Sequence, residues 1–159
     1  EGKENLFAGR CDVYTTDASG LSSTRAAAAD PSKWLVLPEI ISKEPLGPLV
    51  RHGDHQWGDV VRWSLNAMII AEELGITSEN VDAQKSSNIP EVLRLLGVEG
   101  SYGEMLELAP DWAYQIIKQI GNYSESYEAN VGPDTPLEIA RGLNALWTQG
   151  GILYAPPFR

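Results

Sequence analysis

The sequence predicts an α/β chain, with a short strand–helix–strand unit at its start and a long helix-rich region after it. Two runs predict the first part. Residues 11–16 are rich in β-branched and aromatic side chains and stop at Asp17, and Trp34-Leu35-Val36-Leu37 is a short continuous apolar run. From residue 54 onward the apolar residues recur instead at i, i+3 and i+4, the helical period.

Each element has its own signals. Residues 3–8 read as the end of a helix stopped by Gly9. Residues 11–16 read as a strand, and residues 18–29 as a helix closing on four alanines. Asp30-Pro31-Ser32 reads as a turn, and residues 34–37 as a second strand. Residues 38–48 hold Pro38, Pro45, Gly47 and Pro48, a density that excludes a helix and suits a crossover between two lobes or an edge loop.

Residues 54–74 carry the strongest helical pattern, through Trp57, Val60, Val61, Leu65, Met68 and Ile69, with Asp54 as cap and Gly75 as stop. A short helix is expected from Thr77-Ser78 toward Gln84. Another spans Ile89–Leu96, with Pro90 in its first turn. A longer helix is expected over 111–127, and a last one over 136–149 capped by Thr135. The apolar tail at 152–157 should pack on the body. Two strands alone make no stable sheet, so either the helices form a bundle of their own or strands are missing upstream of this chain.

Composition narrows the function. Hydrophobic residues make up 43% of the 159, enough for a globular domain with a real core. Twelve Lys and Arg face 22 Asp and Glu, a net charge of −10. That surface repels phosphate backbones and anionic lipid, which argues against nucleic acid and membrane surfaces as partners. The apolar stretches within 60–74 are interrupted by Arg62, Ser64, Asn66, Glu72 and Glu73, so none reaches the roughly 20 residues of a membrane span. No signal peptide is legible, which favours the cytoplasm only if residue 1 is the true start.

Among candidate chemical groups, Asp17 stands first. It falls where a strand should end and a helix begin, the mouth of an α/β sheet and a usual place for a small ligand. There it reads either as a counter-charge for an ammonium group or as a plain helix cap. Asp12 and Asp17 fall on opposite faces of a strand and make no acid/base pair. His52-Gly53-Asp54-His55 reads better as a solvated loop and cap than as a metal site, because no third histidine or usable cysteine accompanies it. Cys11, the single cysteine, reads as a buried free thiol or one half of a bridge to a cysteine outside this chain. The five tryptophans read as core residues. No nucleophile triad or phosphate-binding glycine loop is present.

Taken together, Gly9-Arg10-Cys11-Asp12-Val13-Tyr14-Thr15-Thr16-Asp17 resembles the G-R-x-D-x-x-x-x-D segment of periplasmic amino-acid-binding proteins that feed ABC importers. Several further segments are similar to the general L-amino-acid-binding branch of that family, solute-binding protein family 3. They are Ile40-Ile41-Ser42-Lys43-Glu44-Pro45-Leu46-Gly47-Pro48, Gly121-Asn122-Tyr123, Asn130-Val131-Gly132, the run from Ala140 to Trp147, and Tyr154-Ala155-Pro156-Pro157.

The resemblance implies a type II periplasmic-binding-protein fold, in which two α/β lobes close on one amino acid. Residues 1–38 would end the second lobe and 38–44 would form a crossover and hinge. Residues 45–159 would return to the first lobe with a helical C-terminal extension. Asp17 would bind the ligand's α-ammonium and Thr16 would touch its side chain. The family's carboxylate-binding arginine precedes this segment, so the chain would carry half a site, and a buried zwitterion with one end unpaired is costly.

The implied partners are an L-amino acid and the membrane subunits of an ABC importer, in the periplasm, with no catalytic residue, metal or cofactor. A missing N-terminal portion or a second copy would cover exposed apolar surface. Two other classes stay open. One is a dehydratase on the same fold, which needs a cleft acid/base that no residue here supplies. The other is a helical interaction module without a transport role.

Overall fold

Helix α1 (Gly2–Phe7) opens the chain in the computed structural model, which describes residues 1–43 and 45–158. Gly9, at φ +66°, turns the chain out of it, as a glycine just past a helix end does. The chain forms two units. The first comprises Glu1–Gly47 with Ala129–Ala140, and the second Pro48–Glu128 with the chain from Arg141 on.

In the first unit α2 (Ala18–Ala26) follows its cap, Asp17, and ends three residues short of the expected Ala29. A 3-10 turn at Pro31–Lys33 follows, capped by Asp30. Phe7 meets Trp34 edge to face at 5.2 Å. Arg25 donates to Glu138 Oε2 at 2.7 Å and to the Leu137 carbonyl at 3.3 Å, which ties the returning segment to α2.

The two expected strands are corrected here, and the α/β class is not confirmed within this chain. Among the described residues no strand forms, and the runs at 11–16 and 34–37 are neither helical nor paired. A strand exists only through ladder hydrogen bonds to a neighbour, and these runs find none. Consistent with that, Leu35, Leu37, Ile40, Ile41 and Leu46 are 63–84% exposed, far more than apolar strand residues tolerate in a finished sheet. Of the proposed crossover at 38–44, Glu44 lies outside the described residues; the rest is without regular structure.

The second unit is helical. Helix α3 (His55–Glu73) is capped as the sequence indicates, with the Trp57 amide donating to Asp54 Oδ1 at 3.1 Å. It buries Ala67, Ile69, Ile70 and Ala71. After it come α4 (Val81–Gln84), α5 (Pro90–Leu95), α6 (Tyr102–Met105), α7 (Trp112–Ile120) and α8 (Tyr123–Asn130). Helix α7 packs on α3 and α4. The core between them is Ile76, Val81, Val92, Leu95, Leu96 and Ile117. Of the tail at 152–157, Ala155 is buried and Leu153 packs against the core, but Ile152 and Tyr154 are exposed; just beyond it Phe158 is buried against Trp63, Tyr102 and Trp112 at 5.2, 5.3 and 6.1 Å between ring centres.

Two expected helices are corrected. The one over 111–127 is broken at Gly121, whose φ of +93° no helix admits. Asn122 then restarts the chain with a capping box. The Glu125 amide donates to Asn122 Oδ1 at 3.0 Å, and the Asn122 amide to Glu125 Oε2 at 2.8 Å. The one over 136–149 is replaced by 3-10 turns at Gly142–Asn144 and Trp147–Gln149. There the Leu137 amide donates to Thr135 Oγ1, and the Ile139 amide to the Val131 carbonyl, so the first-turn amides are diverted. Positive φ at Glu138 and Gly142 then prevents propagation. Helix α6 was not expected from the sequence.

Candidate functional site

Asp17 holds α2 by its N-terminus. Its Oδ2 accepts from the Gly20 amide at 2.8 Å and from the Ser19 hydroxyl at 2.6 Å, while its Oδ1 accepts from the Thr16 hydroxyl at 3.1 Å. A carboxylate offers about four acceptor positions. Two donors fill Oδ2 and one occupies Oδ1, so one acceptor position on Oδ1 remains. The Ser19 hydroxyl, then the Gly20 amide and the Thr16 hydroxyl, hold the carboxyl below its usual 3.8. Asp17 is therefore ionised at neutral pH and half-buried, with Thr16 exposed beside it.

The cap reading of Asp17 is thus what its hydrogen bonds show. The cap fixes the carboxylate's position at the start of α2, and the remaining acceptor is suited to an ammonium N–H. Thr16 is held by its bond to Asp17, so the two predicted residues do lie together.

The other candidates fall elsewhere. Asp54 caps α3, with His52 exposed in the turn before it and His55 exposed as the first residue of the helix. No group of three His, Cys, Asp or Glu side chains gathers around a common point among the described residues. Cys11 is a free thiol, half-buried where a buried one was expected, because the run around it has no covering neighbour. Of the tryptophans, Trp112 is buried, but Trp57 and Trp147 are about half exposed and do not fit the core reading.

The sequence reading passed over one largely buried charge pair, with side chains 15% and 9% exposed. Arg141 Nη2 donates to Glu72 Oε1 at 3.0 Å and Oε2 at 3.1 Å, and its Nε and Nη2 both reach the Asn144 carbonyl. Its guanidinium lies 5.3 and 5.4 Å from the ring centres of Tyr123 and Tyr127. The signal available in sequence was Glu72 in the last turn of α3, where a carboxylate opposes the helix dipole and calls for a cation.

No protein-family profile matches the chain. It is 56% identical over 160 residues to the glutamate/glutamine/aspartate/asparagine-binding protein BztA of Rhodobacter capsulatus. It is 58% identical over 154 residues to the general L-amino acid-binding periplasmic protein AapJ of Rhizobium johnstonii. It is 55% identical over 161 residues to the putative amino-acid ABC transporter-binding protein YhdW of Escherichia coli. These matches cover 100%, 96% and 100% of the chain but 47%, 45% and 47% of the relatives. The chain therefore spans about half the length of the curated relatives it matches. Among solved structures, an ABC transporter periplasmic binding protein from Brucella ovis with glutathione bound superposes with a TM-score of 0.94. It is 52% identical, and the match covers 99% of this chain and 50% of that one.

Proposed function

We propose that this chain, homologous along its whole length to the binding proteins of amino-acid ABC transporters, supplies the ammonium-binding half of an L-amino-acid site. The observation that carries the proposal is Asp17: ionised, fixed by three donors, and left with one acceptor position beside an exposed threonine. In this reading residues 1–38 end one lobe, 38–44 form a hinge segment, and 45–159 return to the other lobe with its helical extension. The α-carboxylate of the ligand meets its partners in the part of the relatives that this chain does not span. That same part would supply strands to pair with 11–16 and 34–37 and cover the exposed leucines and isoleucines.

The ligand names attached to the relatives and the neighbour share a chemical group. Glutamate, glutamine, aspartate, asparagine and glutathione each present a free α-amino-acid head, with an ammonium and a carboxylate on one carbon. A site reading that head would accept all of them, and in this proposal Asp17 would read its ammonium. The protein would act in the periplasm, binding without catalysis and handing its ligand to importer membrane subunits after lobe closure.

The test uses the longer protein that carries this chain, titrated calorimetrically with L-glutamate and L-glutamine. Asp17→Ala removes both charge and cap. Asp17→Ser keeps a good cap and removes only the charge. Both should weaken binding by about tenfold or more, the scale of a charge-assisted hydrogen bond. Native affinity in the Ser variant would refute the assignment.

A further inference from the structure

Helix α3 ends against electrostatic sense. Its last turn holds Glu72 and Glu73 and no basic residue, although that end carries the negative pole of a 19-residue helix. Arg141 neutralises Glu72 at 3.0 Å. Glu73 receives only the Trp147 indole N–H, at 3.1 Å, and pairs with no cation among the described residues. Beside it opens a cleft of about 230 Å³, whose lining includes Glu73, Glu91, Trp147, Tyr154, Ile70 and Pro157. Glu91 likewise makes no ion pair among the described residues, and Arg94 on the same helix is turned to the Phe158 carbonyl at 3.1 Å. Trp147 and Tyr154 stand edge to face at 5.7 Å and remain 51% and 68% exposed.

From this arrangement we infer that the cleft is a docking site for an arginine side chain presented by a partner protein. Two carboxylates and a helix C-terminus supply negative potential, and two exposed aromatic faces supply surfaces on which a planar guanidinium stacks. Arginine fits better than lysine, because its fork bonds a carboxylate while its plane lies on a ring. A side chain fits better than a free small ligand: a small-molecule site encloses most of its ligand, whereas these aromatic walls stay half open. The site lies in the second unit and is independent of Asp17.

The test follows the indole N–H resonances of the full chain by NMR, with Trp147 assigned through a Trp147→Phe variant. The probe is a short acetylated, amidated peptide containing one arginine, and its control carries neutral, nearly isosteric citrulline. The arginine peptide should shift the Trp147 resonance saturably, and citrulline should not. Glu73→Gln keeps an acceptor for the indole, so the fold around Trp147 is preserved. With Glu91→Gln added, binding should weaken by about fivefold or more and lose most of its salt dependence. An equal response to citrulline, or unchanged affinity in the double variant, would overturn the inference. So would agmatine binding as tightly as the peptide, since that would make the cleft a small-cation site.

Discussion

Replacing Arg141 by Met should destabilise the second unit by about 3–4 kcal/mol, which makes it a sharp test of what anchors the returning chain to α3. The two side chains are 15% and 9% exposed, so water screens them poorly. At about 3 Å and an effective dielectric near 20, their Coulomb attraction is about 5 kcal/mol, much of it offset by the desolvation of both groups. Removing Arg141 leaves the desolvation of Glu72 without its compensation, which alone costs about 3 kcal/mol. The Asn144 carbonyl also loses donors at 3.0 and 2.8 Å, and two tyrosine faces lose their cation, adding up to about 1 kcal/mol. Glu72→Gln should cost less, because Arg141 keeps its other contacts. The double change to Met at both positions should cost clearly less than the sum of the single changes, with a coupling of about 2 kcal/mol. Urea unfolding followed by tryptophan fluorescence in a Trp34→Phe background reads the second unit, which holds the other four tryptophans. A cost below about 1 kcal/mol for Arg141→Met, or strict additivity, would refute the reasoning.

Three other expectations follow from the packing and the surface charges. Phe158→Ala removes a ring buried among Trp63, Tyr102 and Trp112 and should cost about 3–4 kcal/mol in the same urea assay. Gly75 and Gly97 both have positive φ, but an added methyl at Gly75 meets open space, whereas at Gly97 it collides with the Pro110 carbonyl. Gly97→Ala should therefore lose clearly more stability than the roughly 1 kcal/mol expected of Gly75→Ala. On the surface, the hydroxyl of Tyr114 donates to Asp82 at 2.8 Å, which raises its pKa above 10, while the hydrogen bond from Lys118 lowers that of Asp82. Asp82→Asn should bring the Tyr114 ionisation, followed by ultraviolet difference absorbance, back toward 10. Because the carboxyls of Asp17 and Asp82 are held below 3.8 in the folded chain, their stabilisation is complete above that pH. It fades as pH falls through the lowered values, so the drop in stability between neutral and acid pH should be larger in the parent than in a chain lacking both groups.

How far the sequence could be read depended on whether the deciding interaction was local. Asp54, Gly75, Pro90 and Gly97 act within a turn or two of themselves, and the helices they bound lie where those residues indicate. The strands were not legible in the same way. A β-rich run specifies only half of a ladder, and the other half for 11–16 and 34–37 is not among the described residues. The broken helix at Gly121 shows a different failure. The apolar stripe through Trp112, Ile116, Ile117 and Ile120 is real, but one glycine and a buried asparagine, whose Nδ2 reaches the Ile76 carbonyl at 2.9 Å, redirect the chain. That bond spans 46 residues in sequence, which no local window contains.

The same distinction bears on Asp17. Its position is set locally, by three donors within three residues, so the sequence could place it without knowledge of any fold. Its role is not local. An ammonium group brings three N–H donors, and the single acceptor left on Oδ1 answers only one of them. A ligand held there alone would keep most of its hydration and gain little over water. Selective binding needs groups that satisfy the remaining donors and the α-carboxylate together, within a site that excludes water. In the proposed site Asp17 would therefore fix where an amino-acid head sits, while the strength and selectivity of binding would be decided by groups brought to it from outside this segment.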